Sequence, residues 1–483
     1  MLRVALILLV ALTFTAQASS PSSPTVRSVL DQIQAAYGGE SINSLQSLSL
    51  DERYKTFNYT QSYSPQEYDM KTFRALVDID FAKQKKAFRW IRGDADDFST
   101  QHQYFSGQFG YRIYHEKQAI SERTTISFHN VDWRLSLLSD TYIVKMLLDN
   151  RDAASLTGER KIKGVPHYLL TFDLEGADSL SLLFDQKSGL LSQASRKDWQ
   201  PDSEFSYHYS EYNKEKGITY AERTYAVRAG KPYLLNIKRD LTFNSVSEGA
   251  FGLPKHYGKL PDMLNFEDMQ AKTLDTNLYQ SGRYWGFSLF YDAGEYLIGI
   301  GGYRDLQKRY EAALNQIGKI KPLKYQIVTH HHADHLGGMQ DAYQLGAVFV
   351  AHPSNRARIE EAIGVPIDDN RFLFVDSEIN LAEGKVKIFD FPNPHAQHQL
   401  VTFFAEPSVL FTADTYFSRE HTGSPKGYPE LTELASKLQS FNLEPERYAA
   451  AHSARVLTKE DMAYSLTHMA PHSQCPPKWT ICP

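Results

Sequence analysis

A dense group of histidine and aspartate side chains lies near residue 330. The segment runs Thr329-His330-His331-His332-Ala333-Asp334-His335, directly after the apolar stretch Gln326-Ile327-Val328. Imidazole nitrogens and carboxylate oxygens are the usual protein ligands of zinc. Because His330 and His332 are two positions apart, an extended backbone points both side chains the same way. Asp334 and His335 follow where the chain turns toward Gly337-Gly338, so one turn presents donors that suit two metal ions better than one.

The same segment resembles the signature of the metallo-β-lactamase superfamily. The order histidine-x-histidine-x-aspartate-histidine, the short strand before it and the two glycines after it all agree with that signature. The resemblance covers about residues 265 to 465 and implies a hydrolase with two zinc ions per chain. A histidine-rich surface loop is the plain alternative, but the downstream ligands also occur in the expected order.

The resemblance implies three more ligands downstream. For the third histidine we favour His395 over its rival His398, because the spacing from His395 to Asp414 resembles that of the family. Asp414 follows an apolar strand, and His452 follows a late one. The complete set implied by the resemblance places His330, His332 and His395 on one zinc, Asp334, His335 and His452 on the other, and Asp414 between them. Asp334 would also be the catalytic residue that orients the attacking hydroxide.

Three departures from the family pattern concern the shape of the pocket. Family members often carry an acid on an early strand, where this chain reads Leu297-Ile298-Gly299-Ile300-Gly301. A partner that orients the histidine turn is therefore missing or supplied from elsewhere. Ala396-Gln397-His398 stands where Thr-x-Gly is common after the third histidine, and Ala451 and Ser453 replace the commoner glycines around the last ligand. None of these changes removes a ligand.

Other side chains have weaker claims on the site. Tyr416, just after Asp414, either donates to a substrate oxygen or is an ordinary packing aromatic, and His398 is a candidate for substrate contact or ligand support. We expect His352 to be structural and His331 to point away from the metals. The remaining histidines of the first half are scattered and are expected to be ordinary ones, namely His102, His115, His129, His167, His208 and His256.

The elements around these residues predict an α+β protein. A helix is predicted from Val26 to Gly38-Gly39, and period-two alternation of apolar residues then predicts many antiparallel strands to about residue 250. Beyond Gly249–Pro261 the pattern becomes mixed α/β, and the resemblance implies a four-layer αβ/βα sandwich there. We therefore predict a signal peptide over 1–18, a β-rich domain of unknown role over 19–262 and the metal-binding domain over 263–483.

The N-terminal segment and the net charge predict an exported protein that does not bind nucleic acid. Arg3, the apolar run Val4–Phe14 and Ala16-Gln17-Ala18 fit a cleaved signal peptide, so we expect a periplasmic or secreted protein with no later membrane span. A net charge of −5 gives no reason to bind nucleic acid. Cys475 and Cys482 either form a small disulfide loop or bind metal as a pair of thiols. The intervening Pro476-Pro477 argues against the thiol pair. The oligomeric state stays open.

Three functions fit these features. The first is a binuclear zinc hydrolase that cleaves a small ester, lactone, amide or thioester with a metal-bridging hydroxide. The second is an iron enzyme of the same superfamily that oxidises sulfur compounds with a single metal ion. The third is a non-catalytic binding protein in which the first sheet is the working surface and the metal is structural. The expected partner is a small-molecule substrate, and the role of the first domain stays open.

Overall fold

The computed structural model describes residues 24–94, 97–130, 133–198, 204–260, 264, 266–470, 474–476 and 479–482. The predicted signal peptide over 1–18 lies outside these residues. Across the described helices, none combines the length and apolar character that a membrane crossing would need. The helices are α1 Val26–Ala36, α2 Glu40–Asn43, α3 Trp133–Ser136, α4 Asp140–Asp149, α5 Leu306–Ile317, α6 Ala333–Leu336, α7 Met339–Gln344, α8 Arg356–Ile363, α9 Pro429–Ser440 and α10 Lys459–Thr467.

One large sheet dominates the first half of the chain. Within the described residues it has 14 strands in the order β14-β6-β5-β4-β3-β2-β1-β13-β12-β11-β10-β9-β8-β7. The strands are β1 Ser47–Asn58, β2 Asp69–Asp80, β3 Lys85–Asp94, β4 Asp97–Phe105, β5 Gly110–Tyr114, β6 Ala119–Glu122, β7 Ala154–Ile162, β8 Val165–Phe172, β9 Leu180–Asp185, β10 Leu191–Lys197, β11 Glu204–Glu215, β12 Ile218–Arg228, β13 Lys231–Phe243 and β14 Gly258–Lys259. Sequential neighbours pair antiparallel, as the alternating pattern predicts, whereas β14 joins β6 in parallel.

Two helices supply much of the core on this sheet. Helix α1 begins after Thr25, whose side chain accepts from the backbone N–H of Ser28, and it buries Val29, Leu30 and Ile33. Helix α4 was not predicted from the sequence. Nearly all of its residues are buried against the sheet, so it lacks the polar stripe that makes an amphipathic helix recognisable.

The second half of the chain contains two further sheets. Among the described residues the first has seven strands in chain order, β15 to β21, and the second has six, β22 to β27. The strands are β15 Gln270–Asp275, β16 Leu278–Arg283, β17 Gly286–Asp292, β18 Leu297–Ile300, β19 Leu323–Ile327, β20 Val348–Ala351, β21 Phe372–Phe374, β22 Glu378–Leu381, β23 Val386–Asp390, β24 Leu400–Phe404, β25 Val409–Phe411, β26 Arg447–Ala450 and β27 Ser453–Thr458.

The packing of these two sheets makes four layers. One apolar cluster lies between the sheets and joins residues such as Ile300 and Ile327 to Ile388 and Phe411. A second cluster packs α5, α7 and α8 on the outer face of the first sheet, and a third packs α9 and α10 on the outer face of the second. The layer order helix-sheet-sheet-helix confirms the predicted α+β class and the αβ/βα sandwich in the C-terminal part.

The large sheet and the next sheet are joined by a short connection in the sequence. The large sheet ends at Lys259, and the next sheet begins at Gln270. The domain limits of 19–262 and 263–483 remain predictions. At the other end of the chain, Cys475 and Cys482 form a disulfide, which agrees with the first of the two predicted alternatives. Next to it, Ile481 packs against Ile91 and Phe98 of the large sheet, so the tail returns to the first half of the protein.

Candidate metal centre

The seven predicted ligands come from turns at one edge of the two sheets. His330 and His332 follow β19, and Asp334 and His335 lie in the short helix α6. His395 follows β23, Asp414 follows β25, and His452 lies between β26 and β27. Strands β23 and β25 are each antiparallel to β24, and β25 is parallel to β26. Their carboxyl ends therefore share an edge, which is why residues far apart in sequence converge.

Two glycines allow the histidine turn to approach the end of β18. A Cβ on Gly302 would lie 2.2 Å from the carbonyl oxygen of His335, and one on Gly338 would lie 2.3 Å from that of Tyr303. The Gly338 N–H also donates to the Gly302 carbonyl at 2.8 Å. A larger side chain at either position would push α6 away from the strand, so Gly302 and Gly338 are needed for this close packing.

The first group of donors contains His330, His332, His395 and Asp414, whose potential ligand atoms all lie within 4.8 Å of one another. The Nε2 atoms of His330 and His395 are 3.2 Å apart, and Asp414 Oδ2 lies 3.2 Å from His395 Nε2. In a tetrahedral zinc site with Zn–N bonds of about 2.0 to 2.1 Å, neighbouring nitrogens are about 3.3 to 3.4 Å apart. The spacing of the two imidazoles thus matches that of zinc ligands.

The second group contains Asp334, His335 and His452, again within 4.8 Å of one another. Asp334 Oδ2 is 3.7 Å from the Nε2 atoms of both His335 and His452. Asp414 joins the two groups, since its Oδ1 lies 3.0 Å from His335 Nε2 and its Oδ2 lies 3.1 Å from His452 Nε2. This position between the groups is the one that the resemblance implied for Asp414.

The hydrogen bonding of the cluster fits bound cations. His332 Nδ1 is buried and has no hydrogen-bond partner among the described residues. His335 Nε2 and Asp414 Oδ1 face each other and have no further partner in the described part of the chain. Buried polar atoms in proteins are almost always satisfied. Lone pairs that converge without donors are what a pair of metal ions would satisfy, so the residues present fit the implied zinc.

The surroundings of His330, His332 and Asp414 favour the protonation states of these three residues that bind metal. Burial, reinforced by neighbouring histidines, holds the pKa of His330 and of His332 well below its usual value. Burial opposes ionisation of Asp414, yet His335 and His452 outweigh it and hold the pKa of Asp414 well below its usual value. Neutral imidazoles and an ionised carboxylate are the states that bind cations.

The cluster is open to solvent on one side. The side chain of His395 is 38% exposed, whereas that of Asp414 is 8% exposed and those of His330 and His335 are fully buried. On the side of His452, Trp285 is half exposed and its ring centroid lies 5.7 Å from that of His452. The cluster is therefore accessible to solvent at His395, and Trp285 lies partly exposed on the side of His452.

Tyr303 is a site residue that the sequence did not reveal. It follows β18, is buried, and its hydroxyl lies 3.3 Å from Asp334 Oδ2 and 2.7 Å from His452 Nδ1. Burial, together with Asp334 and Asp414, holds the pKa of Tyr303 well above its usual value, so the hydroxyl keeps its proton. The one available signal was its position, directly after the glycines Gly301 and Gly302 at the end of a buried strand.

Partners that orient the ligands come from two places. The Thr329 hydroxyl lies 3.1 Å from His330 Nδ1 and 3.3 Å from His335 Nδ1. The loop between β1 and β2, residues 59–68, supplies the Ser62 carbonyl oxygen at 2.9 Å from His332 Nε2 and the Gln61 amide at 2.7 Å from Asp334 Oδ1. The partner that the Leu297–Gly301 departure left open is thus supplied by the first half of the chain.

A further group of histidines lies beside the cluster. His352, Asp390 and His398 bring potential ligand atoms within 4.8 Å of one another. The two rings stack with centroids 3.4 Å apart, so their lone pairs run side by side and do not converge on one point. His398 Nδ1 contacts Asp390 Oδ2 at 2.8 Å, and His352 Nδ1 contacts Ser354 Oγ at 2.8 Å. We interpret this group as structural, and substrate contact by His398 stays a prediction.

The structure also places Tyr416 and His331 away from the ligand groups. Tyr416 is buried among residues of the outer face of the second sheet, and its hydroxyl lies 3.0 Å from Ser465 Oγ. It is therefore the packing aromatic of the two alternatives, and its predicted contact with substrate is corrected. His331 is buried, and its Nε2 donates to the Ser62 carbonyl at 2.7 Å, so it faces the first half of the protein and not the metals.

Comparison with known proteins agrees with this site. A family model described as the metallo-beta-lactamase superfamily matches residues 298–452, a range that includes all seven predicted ligands. A hydroxyacylglutathione hydrolase of Pelagibacter ubique (strain HTCC1062) is 30% identical over 149 residues, which are 30% of this chain and 57% of that protein. The chain therefore spans little more than half the length of this relative. The predicted resemblance of the C-terminal half to the superfamily is confirmed.

Solved structures of metallo-β-lactamases also resemble part of the chain. One from Hirschia baltica has a TM-score of 0.32 at 18% identity and covers 41% of this chain and 96% of its own. Another, from Pontibacter korlensis, has a TM-score of 0.33 at 13% identity and covers 41% of this chain and 98% of its own. Both similarities are confined to a minority of the chain.

Proposed function

We propose that the protein is an exported hydrolase that binds two zinc ions and cleaves a small ester, lactone, amide or thioester. The observation that carries this proposal is the pair of donor groups joined by Asp414, one of His330, His332 and His395, the other of Asp334, His335 and His452. When bound, two zinc ions would lower the pKa of a shared water toward about 7 and polarise the scissile carbonyl.

The protein's own residues then divide the remaining work. Asp334 turns Oδ1 toward Gln61 and Oδ2 toward His335 and His452, so Oδ2 is placed to bind the second metal and to orient the attacking water beside it. The Tyr303 hydroxyl, which keeps its proton, can donate to the developing negative charge on the substrate. Neither role requires a serine or cysteine nucleophile.

The comparison favours an acyl substrate. The relative that is 30% identical is named as a hydrolase of hydroxyacylglutathione. That name supports attack of water on an acyl carbon, which esters, thioesters, lactones and amides all offer. The exposure of His395 supports this proposal, because a small substrate would need access to the donors from solvent.

The two alternative functions have less support. A single-iron enzyme needs one group of ligands, whereas here the second group is complete and shares Asp414 with the first. A purely structural metal is closed off by four protein ligands, whereas this cluster is open at His395. One iron per chain would support the first alternative, and metal binding without turnover would support the second.

Export is part of the proposal. The signal-like residues 1–18 support it, and so does the disulfide between Cys475 and Cys482, because disulfides persist in oxidising compartments. We accordingly propose a periplasmic or secreted location. Mass measurement of the mature protein from the native host tests this, and a retained N-terminus would contradict it.

A substrate screen tests the activity itself. Zinc-loaded protein is assayed on lactones, thioesters, β-lactams, phosphodiesters and sulfate esters, with the variant Asp334→Ala beside the wild type. We expect turnover of a carbonyl substrate that falls at least about 100-fold in Asp334→Ala. The matched control is Asp368→Ala, which changes an exposed aspartate outside the cluster. Equal turnover in wild type and Asp334→Ala would remove Asp334 from the mechanism.

A further inference from the structure

The β1–β2 loop, residues 59–68, lies directly on the histidine turn. Four consecutive residues of the loop contact the second half of the chain. Thr60 accepts from the Ala333 N–H at 2.9 Å, Gln61 reaches Asp334, Ser62 accepts from His332, and Tyr63 accepts from the Gln397 N–H at 2.9 Å. The first three contacts are to the histidine turn, and the fourth is to the segment that follows His395. The loop is therefore part of the wall of the metal centre.

Two contacts fix how ligands face the metals. The Ser62 carbonyl accepts from His332 Nε2, which assigns the proton of that ring to Nε2 and leaves the buried Nδ1 as its ligand atom. The Gln61 amide donates to Asp334 Oδ1 at 2.7 Å and leaves Oδ2 facing His335 and His452. Hydrogen bonds of this kind orient ligands, and their loss typically costs about 10- to 100-fold in metal affinity or activity.

The loop is itself anchored by charge and by buried groups. The Arg358 guanidinium stacks over the Tyr59 ring at 3.6 Å and donates to the Tyr59 carbonyl at 3.1 Å. The Tyr59 hydroxyl donates to Glu361 at 2.9 Å. Ser62 is fully buried, and its hydroxyl donates to the Ser64 carbonyl at 2.7 Å. These contacts fix the backbone of the loop on both sides of Gln61, and a residue that orients a ligand needs such a fixed backbone.

We propose that Gln61 is a positioning residue of the metal centre, through which the large N-terminal sheet completes the second ligand group in the C-terminal sandwich. This inference rests on the proposed binuclear centre. It gives the first half of the protein a stated role, which is to hold Asp334 in the orientation that binds the second metal and faces the attacking water.

A metal titration tests this assignment. Full-length wild type and the variants Gln61→Met and Gln61→Glu are stripped of metal and titrated with zinc against a chromophoric chelator, and the visible spectrum of the cobalt-loaded proteins is recorded. We expect the variants to bind the second equivalent about 10- to 100-fold more weakly, with the first equivalent little changed, because Asp334 belongs only to the second group. Cobalt spectra should change accordingly.

The control uses a glutamine of the same loop. Gln66 donates to the Ser354 carbonyl at 3.1 Å and so also contacts the second half without touching a ligand. We expect Gln66→Met to bind both equivalents as the wild type does. If Gln61→Met and Gln61→Glu match the wild type in both affinities and in the cobalt spectrum, the positioning role of Gln61 is overturned, while the proposed binuclear centre is not affected. If the wild type itself binds no zinc, the proposed function fails and the inference fails with it.

Discussion

The hydroxyl of Tyr303 lies 2.7 Å from Nδ1 of His452, at the side of the cluster that faces Trp285. This contact joins the end of β18 in the first sheet to the turn after β26 in the second. A neutral tyrosine beside two carboxylates and a histidine has a proton to donate and no reason to release it. Its hydroxyl is therefore available as a proton donor beside the second group of predicted ligands.

Tyr303→Phe removes that donor while it preserves the ring. We expect the zinc content to stay at the wild-type level and kcat to fall about 10- to 100-fold, because the hydroxyl acts on the reacting groups and is not itself in a ligand group. Steady-state kinetics with metal analysis checks both. Tyr310→Phe is the matched control, since that hydroxyl donates to the Lys321 carbonyl. Unchanged kcat in Tyr303→Phe would exclude a donor role.

Asp414→Asn tests the carboxylate that joins the two groups. Asp414 lies within 3.2 Å of His395, His335 and His452, so we expect the loss of at least one zinc equivalent and a fall in activity of at least about 100-fold. Asp390→Asn is the control, because that buried carboxylate contacts His398 outside the seven ligands. The zinc content of both variants is measured, and only Asp414→Asn should contain less zinc than the wild type. Full zinc content in Asp414→Asn would contradict the shared-carboxylate arrangement.

Removal of metal should destabilise the protein. A ligand that binds only the native state at a free concentration of 100 Kd adds about 2.7 kcal/mol to the free energy of unfolding. We therefore expect Tm to fall when a strong chelator is added and to recover with zinc, as followed by calorimetry. The same treatment should have a much smaller effect on Asp414→Asn. If neither the chelator nor added zinc changes the Tm, the protein binds no metal that stabilises its native state.

Mild acid should destabilise the contact between the tail and the large sheet. Burial lowers the pKa of His115 to about 4, and the His115 ring contacts His102, Tyr257 and Trp479. A histidine with a lowered pKa stays neutral in the native state while the unfolded chain takes up a proton near pH 6.5. Stability contributed by His115 is therefore complete above about pH 6.5 and is lost as the pH falls toward 4.

The variant His115→Phe isolates this effect. The wild type should lose more of its Tm between pH 6.5 and pH 4.5 than the variant does, because the variant has no ring nitrogen to protonate. The buried histidines of the metal cluster titrate in both proteins and cancel in the comparison. Parallel pH profiles of Tm for the two proteins would argue against the assigned pKa.

Much of the site could be predicted because its ligands follow a local and ordered pattern. His330, His332, Asp334 and His335 come from one turn, and His395, Asp414 and His452 each follow an apolar strand. The contributions of Gln61 and Ser62 could not be predicted, since these residues lie more than 260 positions before their partners and share no motif with them. Such contacts depend on how the two halves of the chain dock.

Elements were missed for a related reason. Helix α4 is buried almost throughout, so its sequence lacks the periodic polar face that indicates a helix. Tyr416 looked like a site residue because it follows Asp414 by two positions, but the turn after β25 directs its side chain to the outer face of the sheet. In both cases the neighbouring layer decides the environment of the side chain, and a single sequence does not contain that information.

The central claim is that seven side chains bind two zinc ions in one cluster. The most direct measurement is the metal content of the purified full-length protein, determined by inductively coupled plasma mass spectrometry. The protein is first loaded with zinc, and weakly bound metal is then removed. We predict two zinc ions per wild-type chain and fewer than two in Asp414→Asn. One iron per chain, or a wild type that retains no metal, would contradict the account.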